Sequence, residues 1–172
     1  MVSQAPRRSA SDEFHGGSLM VAEVIRILVG TMTGTAELVA EEMQEVIEAD
    51  SDHEVTVTAM DGLNASVFDQ DGIFLICTST YGQGDVPDNA MSLYNDLTKK
   101  RPDMSAIRYG IFGLGDSTYD DTYNFGGQRF DDLLTELGAA RIGDRDRHDA
   151  SGDNIPEDQA ADWVRVWLPL LT

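Results

Sequence analysis

The segment Ile25–Glu37, IRILVGTMTGTAE, contains a change from a strand pattern to a helix start, and the fold can be predicted from it. Its first part, Ile25–Gly30, is a short apolar run that favours a buried strand. Its second part, Thr31–Glu37, places three threonines and Gly34 where an amphipathic helix over 36–49 is predicted to begin. A strand that leads directly into a helix is typical of the first half of a parallel β–α–β unit.

The alternation of short apolar runs with amphipathic stretches continues to the end of the chain. Further strands are predicted at 54–60, 73–78, 109–114 and, briefly, 141–143; further helices are predicted at 89–97, 130–137 and 156–168. Five strands alternating with helices indicate a doubly wound α/β fold, a parallel sheet with helices on both faces. Such folds bind ligands outside the carboxyl ends of their strands, so the loops after strands one, three and four are the candidate site.

The charge of the chain excludes several classes of partner. Its 172 residues carry 12 Lys and Arg against 31 Asp and Glu, a net charge of −19. Such a surface repels nucleic acid and anionic lipid. No apolar run approaches the roughly 20 residues that a membrane span needs. The protein is therefore expected to bind neither nucleic acid nor membrane.

Cysteine and histidine indicate neither a disulfide nor a metal site. The single cysteine, Cys77, lies in an apolar run and is predicted to be a small buried side chain, which suits a reducing, cytoplasmic compartment. His15, His53 and His148 are scattered in polar contexts without partners at metal-ligand spacing.

Residues 1–19 differ from the rest of the chain. They are polar and contain serine and glycine, without the apolar centre of a secretory signal. We expect a disordered leader or a cloning remnant there, followed by one domain over 20–172.

The first loop, Thr31–Glu37, has the chemistry of a neutral anion site. Backbone amides at a helix start attract anions, and threonine hydroxyls add donors. The alternative is a threonine-rich helix cap that binds no ligand. Gly30 and Gly34 have the wrong spacing for a Walker loop, no lysine follows them, and the dinucleotide pattern G-x-G-x-x-G is absent.

The second and third loops each present a tyrosine beside glycine. They read STYGQGDVPDN at 79–89 and GLGDSTY at 113–119. Glycine permits close approach of a flat ligand, and Tyr81 and Tyr119 offer ring faces for stacking. Two aromatic rings near an anion site indicate a planar heterocycle that carries one phosphate.

These three motifs, in this order, resemble the flavodoxin-like FMN-binding family. The similarity is greatest to the FMN domains of diflavin reductases, of the cytochrome P450 reductase and sulfite reductase flavoprotein types, and to their free-standing bacterial relatives. It covers about residues 25–168, with no long insertion in the fifth strand, as in the short-chain type. The resemblance implies a flavodoxin-like fold with FMN as cofactor.

The resemblance also implies which residues contact FMN. The phosphate would be held by the first loop, one side of the flavin ring would be lined by the second loop, and the other side by the third loop and the segments near it. In that order the implied residues are Thr31, Met32, Thr33, Gly34, Thr35 and Ala36; Ser79, Thr80, Tyr81, Gly82 and Gly84; and Leu114, Gly115, Asp116, Tyr119, Tyr123, Asn124 and Asp149. One residue more than the diflavin pattern separates Tyr119 from Asn124.

The function implied is that of a single-electron carrier between a reductase and an acceptor protein. We expect Tyr81 and Tyr119 to sandwich the flavin ring, and the Gly82 peptide carbonyl to accept a hydrogen bond from reduced N5–H. The partners would be an NAD(P)H-dependent reductase as donor and an acceptor, docking through basic surfaces. The main alternative is an FMN-dependent quinone or nitro reductase on the same fold. A receiver domain would need acidic residues at the end of strand one, where Val29-Gly30-Thr31 stands, and a flavin-free adaptor would leave the three loops unexplained.

Overall fold

Six strands and four helices lie along residues 21–172, the part of the chain that this computed structural model describes. The expectation for residues 1–19 lies outside these residues. The strands are β1 (Val24–Gly30), β2 (Glu54–Ala59), β3 (Ile73–Thr78), β4 (Arg108–Gly115), β5 (Ala140–Arg141) and β6 (Asp146–Asp149). The helices are α1 (Thr35–Asp50), α2 (Asp88–Lys100), α3 (Phe125–Glu136) and α4 (Pro156–Trp167). None of these helices combines the length and the apolar character that crossing a bilayer requires.

The strands form one parallel sheet in the order β2-β1-β3-β4-β5, and β6 also pairs with β4. The chain leaves β1 to one side to form β2 and then crosses to the other side to form β3. The loops after β1 and β3 therefore separate at the carboxyl edge of the sheet, which opens a crevice there. The doubly wound, flavodoxin-like order expected from the sequence is confirmed.

Alternate residues of the central strands face the two helix layers. Ile27 and Cys77 face the layer of α1 and α4, while Leu28 and Ile76 face the layer of α2 and α3. Cys77 is fully buried, as predicted, and burial raises the pKa of its thiol well above the ordinary range. The core therefore lies on both sides of the sheet and leaves the carboxyl edge to the loops.

Two predicted elements differ most from the structure in their bounds. The fifth strand, expected at 141–143, is split into β5 and β6, which both pair with β4. The helix expected at 130–137 begins five residues earlier, at Phe125, and ends at Glu136. Gly126 and Gly127 in its first turn lack the side chains from which a helical period is recognised.

Two tryptophans of α4 contact the segment that connects β5 to β6. The Trp167 indole N–H donates to the carbonyl oxygen of Ile142 at 3.0 Å, and the Trp163 indole N–H donates to that of Asp144 at 3.2 Å. The two rings stack with their centroids 5.5 Å apart. The indoles thus bind carbonyl groups of the segment between β5 and β6, and these hydrogen bonds hold α4 against this edge of the sheet.

Candidate cofactor site

A cleft of about 680 Å³ opens at the carboxyl edge of the sheet, among the loops that follow β1, β3, β4 and β6. Its volume lies in the range of sites for small molecules and cofactors. Hydroxyl-bearing residues are the most numerous among its lining residues, while apolar atoms make up most of the surface of its wall. The lining residues are Thr33, Thr35, Ser79, Thr80, Gly82, Leu114, Gly115, Asp116, Tyr119, Thr122, His148, Ala150, Asn154 and Pro156.

The turn between β1 and α1 presents an open helix start to this cleft. Gly34 precedes α1 in the left-handed conformation, with φ of 91°, and no side chain caps the helix. The hydroxyl oxygen of Thr31 accepts a hydrogen bond from the Gly34 amide at 3.0 Å, while Thr33 and Thr35 line the cleft. Gly34, not a threonine, is therefore the N-cap of α1, and the side chains of Thr33 and Thr35 lie on the cleft wall where a ligand can contact them.

The other predicted residues of this turn lie beside the cleft wall. Ala36 is fully buried under the first turn of α1, and the Met32 sulfur accepts from the Asp88 amide at 3.3 Å. Asn89 was not predicted as a site residue, yet its Oδ1 accepts from the Thr31 amide at 2.9 Å and its Nδ2 donates to the Val29 carbonyl. Asn89 thereby fixes the turn to the start of α2.

The loop after β3 is held at both ends and open in the middle. Tyr81 and Asp85 form an isolated antiparallel bridge, and Arg129 Nε donates to the Gly84 carbonyl at 2.6 Å. Between them Gly82 has φ of 52°, and a Cβ built there would meet nothing within 4 Å. Tyr81 is 47% exposed and is not among the lining residues. The Gly82 peptide is therefore the free part of the loop.

The side chain of Thr80 connects three elements at the floor of the cleft. Its hydroxyl donates to the Leu114 carbonyl at 3.1 Å and accepts from the Gly126 amide at 3.1 Å. Gly126 approaches this loop so closely that an added Cβ would lie far inside van der Waals contact with the Ser79 carbonyl oxygen. The start of α3 is thus packed directly on the loop after β3.

The end of β4 contributes Leu114 and Gly115 to the wall, and the loop after it contributes Asp116 and Tyr119. Tyr119 is 69% exposed at the mouth of the cleft. A Cβ on Gly115 would lie 2.8 Å from the Asn124 amide nitrogen, so only glycine fits between β4 and the start of α3. The glycine at this position therefore keeps the wall close to the sheet.

Tyr123 and Asn124 support the wall from behind. Asn124 is fully buried with φ of 59°, and its Nδ2 donates to the His148 carbonyl at 3.0 Å. The Tyr123 hydroxyl donates to the Arg147 carbonyl at 3.4 Å, and partial burial raises the pKa of this phenol. Both side chains hold the β4–α3 connection against β6, and neither lines the cleft.

Asp149 joins the loop after β4 to the loop after β6. Its Oδ1 accepts from the amides of Ser117 at 2.9 Å and Ser151 at 3.0 Å. Hydrogen bonds from the Ser117 side chain and amide, and from Ser151, hold the pKa of this carboxyl well below its usual range. Its carboxylate is thus engaged by loop amides, and Asp149 lies outside the lining residues.

Five lining residues were not predicted from the sequence, and four of them follow from the misplaced fifth strand. Strand β6 brings His148 into the wall, and the segment that follows brings Ala150, Asn154 and Pro156. The fifth, Thr122, belongs to a short 3₁₀ turn after Tyr119. Pro156 had a signal in the sequence, but only as the first residue of a helix.

Comparison with known proteins identifies the family. The sequence profile described as Flavodoxin matches residues 27–163. Flavodoxin YqcA of Escherichia coli (strain K12) is 40% identical over 148 residues, which cover 86% of this chain and 98% of that protein. The sulfite reductase (NADPH) flavoprotein alpha-component of Sodalis glossinidius is 36% identical over 129 residues, 74% of this chain and 21% of that protein. The solved structure of a mutant flavodoxin from Pseudomonas aeruginosa matches with a TM-score of 0.77 at 34% identity, covering 86% of this chain and 98% of that one.

A doubly wound parallel sheet with a hydroxyl-lined cleft at its switch point defines a class of small α/β proteins that bind a cofactor at the sheet edge. Within that class, the chain belongs to the flavodoxin family. It is accordingly a flavin-dependent electron carrier that acts with redox partner proteins, as the resemblance implied.

Proposed function

We propose that the chain carries single electrons on FMN, with the phosphate of FMN at the start of α1. The observation that carries this proposal is the uncapped helix start with Thr33 and Thr35 on the cleft wall. Among the described lining residues there is no lysine or arginine, so the anion would be met by hydroxyls, amides and the helix dipole. These donors and the volume of the cleft fit a mononucleotide.

The flavin ring would occupy the part of the cleft between the loops after β3 and β4. Gly82 and Gly115 leave room there for a flat group, and Tyr119 at the mouth can cover one ring face. Tyr81, which is exposed on the loop after β3, would cover the other face. The remaining predicted residues, Gly84, Tyr123, Asn124 and Asp149, would act by holding these loops in place.

The chemistry that bound FMN supplies is one-electron transfer, whereas the chain supplies binding, orientation and electrostatics. We assign to the Gly82 carbonyl the acceptance of a hydrogen bond from N5–H, because the neighbouring carbonyls of Tyr81 and Gly84 already accept hydrogen bonds, from the amides of Gly84 and Asp85 and from Arg129. The acidic charge of the chain disfavours further negative charge in the cleft. No finding favours the alternative of a quinone or nitro reductase.

A titration with FMN tests the proposed function. We expect binding of one FMN with quenched flavin fluorescence, followed by two resolved one-electron steps during anaerobic stepwise reduction. Reduction in a single two-electron step, with rapid oxidation of NAD(P)H by the isolated protein, would instead indicate a reductase. Absence of FMN binding would overturn the proposal while leaving the fold unchanged.

Replacing Gly82 by valine is expected to bring the two one-electron potentials closer by about 40–90 mV. The reason is that a β-branched residue at positive φ costs about 1–2 kcal/mol and restricts rotation of the peptide. Gly82→Asn is the matched control, because asparagine tolerates positive φ, and it should shift the potentials by less than half as much. Equal potentials in both variants and the parent would contradict the assignment of this peptide.

The redox partners are proposed to dock at the cleft mouth through basic surfaces, with an NAD(P)H-dependent reductase as the donor. Support comes from exposed carboxylates that follow β3, β4 and β6 or begin α2; these are Asp85, Asp88, Asp120, Asp121 and Asp153. The single free cysteine, Cys77, supports a reducing, cytoplasmic location.

Electron transfer from such a reductase should slow by about tenfold or more between low and high salt. Neutralising Asp120 and Asp121 to asparagine should weaken this dependence, since both carboxylates are exposed beside Tyr119. The double variant Asp69→Asn and Asp71→Asn, before β3 at the opposite edge of the sheet, is the control and should behave like the parent. A rate that does not depend on salt would rule out electrostatic docking.

A further inference from the structure

The side chain of Asn89, in the first turn of α2, joins three loops at the carboxyl edge of the sheet. Its Oδ1 accepts from the Thr31 amide at 2.9 Å, and its Nδ2 donates to the Val29 carbonyl and to a carboxylate oxygen of Asp61, each at 3.2 Å. Thr31 belongs to the turn after β1 and Asp61 to the turn after β2, while Asn89 itself follows the loop after β3. One amide group thus connects the loop proposed to bind the phosphate to the loop proposed to bind the flavin ring.

The partners of Asn89 fix the orientation of its amide. The Thr31 amide can only donate, whereas the Val29 carbonyl and the Asp61 carboxylate can only accept. The side-chain oxygen must therefore face Thr31, and the side-chain nitrogen has two hydrogens for its two acceptors. A polar network in which every member has a partner holds the groups that it joins in one arrangement.

The network continues from Thr31 into the start of α1. The Thr31 hydroxyl oxygen accepts from the Gly34 amide at 3.0 Å, and the Gly34 carbonyl accepts from the amides of Glu37 and Leu38. A chain of hydrogen bonds therefore runs from Asn89 through Thr31 to the first turn of α1. Because the Thr31 amide already donates to Asn89, the phosphate of FMN would be bound by other donors of this turn.

A short buried segment connects Asn89 to the loop after β3. Val86 and Pro87 are both buried, and Val86 packs in the core on the side of α2. The bridge between Tyr81 and Asp85 ends directly before this segment. Close-packed groups have little room to rearrange and so transmit displacements. The position of the loop after β3 therefore depends on where Asn89 holds the start of α2.

We propose that Asn89 is a positioning residue that couples the phosphate site to the ring site, so that each part of FMN binds more tightly when the other is in place. A ligand that orders one loop also orders the other through Asn89, and the second ligand then meets a loop that is already ordered. Such coupling is reciprocal, because it is one free energy shared by both sites. The inference rests on the proposed function, since it requires that FMN occupies the cleft.

Inorganic phosphate and riboflavin allow this coupling to be measured, because each represents one part of FMN. The affinity of the apoprotein for riboflavin would be determined by fluorescence titration, without phosphate and with saturating phosphate, at an ionic strength held constant with sodium chloride. We expect phosphate to raise the riboflavin affinity of the parent about tenfold or more, and that of Asn89→Ala less than about twofold. An equal increase in both proteins, or no increase in the parent, would overturn the proposal.

Asn64→Ala is the matched control for a general loss of stability. The Asn64 Oδ1 also accepts from a backbone amide, that of Ser66 at 2.9 Å, in a segment before β3 that does not line the cleft. Phosphate should raise the riboflavin affinity of this variant as much as that of the parent. A loss of coupling in the control would show that stability, not the contact of Asn89, sets the effect. Failure of the parent to bind FMN would instead refute the proposed function.

An exchange of the side chains at positions 61 and 89 tests the positioning role by rescue. Asn89→Asp alone places a second carboxylate against Asp61 and should abolish the coupling as Asn89→Ala does. When Asp61→Asn is added, the amide at position 61 can donate to the carboxylate at position 89, which still accepts from the Thr31 amide. Phosphate should then raise the riboflavin affinity about fourfold or more, less than in the parent because the contact with Val29 is not reproduced. A folded double variant without coupling would contradict the proposal.

Hydrogen exchange of the Thr31 amide tests the same inference in the unaltered protein. This hydrogen forms the bond to Asn89, so its exchange reports how often that bond opens. Riboflavin lacks the phosphate, yet by ordering the loop after β3 it should keep the bond closed and slow the exchange about fivefold or more. Unchanged exchange of the Thr31 amide at saturating riboflavin would contradict coupling through Asn89.

Discussion

Replacing both Thr33 and Thr35 by alanine is expected to weaken FMN binding by about 10²–10⁴-fold while changing riboflavin binding by less than about threefold. Each hydroxyl would donate to a charged phosphate, and such hydrogen bonds contribute about 1.5–3 kcal/mol apiece. Riboflavin lacks the phosphate, so its affinity should not depend on these two hydroxyls. Fluorescence titration of the apoprotein with the two flavins gives both constants.

The comparison needs proof that the double variant remains folded. Neither threonine caps α1, so the free energy of unfolding should stay within about 1 kcal/mol of the parent. Thr98→Ala, at the far end of α2, removes a hydroxyl that donates to the Tyr94 carbonyl at 2.8 Å and serves as the matched control. Equal losses of affinity for FMN and riboflavin would show that the phosphate lies elsewhere.

Replacing Gly126 by alanine is expected to lower the free energy of unfolding of the apoprotein by about 3 kcal/mol. The added methyl group would overlap the Ser79 carbonyl oxygen and lie 3.1 Å from its carbon, and the backbone cannot rotate away as a side chain could. The start of α3 would have to move off the loop after β3. Flavin affinity should therefore fall with stability, which denaturant titration and flavin titration measure together.

Gly127→Ala is the matched control for this prediction. It places the same methyl group in the same turn of α3, where the nearest atom, the Gly113 Cα, is 3.4 Å away. Alanine also favours helix over glycine by about 0.5–1 kcal/mol, so this variant should be as stable as the parent or slightly more stable. Equal destabilisation by the two substitutions would mean that the loss of stability comes from replacing any glycine in the first turn of α3, and not from contact with Ser79.

The sequence predicted best those strands whose side chains are buried on both faces. Ile73–Thr78 has the predicted bounds because a central parallel strand must be apolar along its whole length. Strand β6, Asp146–Asp149, consists of charged residues and histidine, and it forms because the end of β4 offers backbone partners. Such a strand forms because of its pairing with another strand, and its sequence has no hydrophobic pattern from which it could be predicted.

The same difference explains which site residues were found. Thr33, Thr35 and Gly82 come shortly after strands that were predicted correctly, so their place at the cleft followed from topology. His148 and Asn154 reach the cleft only through β6, and their position could not be derived once that strand was misplaced. The supporting role of Asn124 depends on a buried contact with β6 and was inaccessible for the same reason.

The two indoles that occupy the gap between β5 and β6 make one region of the molecule optically distinct. Trp163 and Trp167 are the only tryptophans of the chain, and both lie on α4. The tryptophan fluorescence of the apoprotein therefore reports how α4 packs against the sheet edge at β5 and β6. The layer of α2 and α3 contains no tryptophan and does not contribute to this signal. Comparing this emission with far-ultraviolet circular dichroism during denaturation would reveal whether that edge detaches before the rest of the chain unfolds.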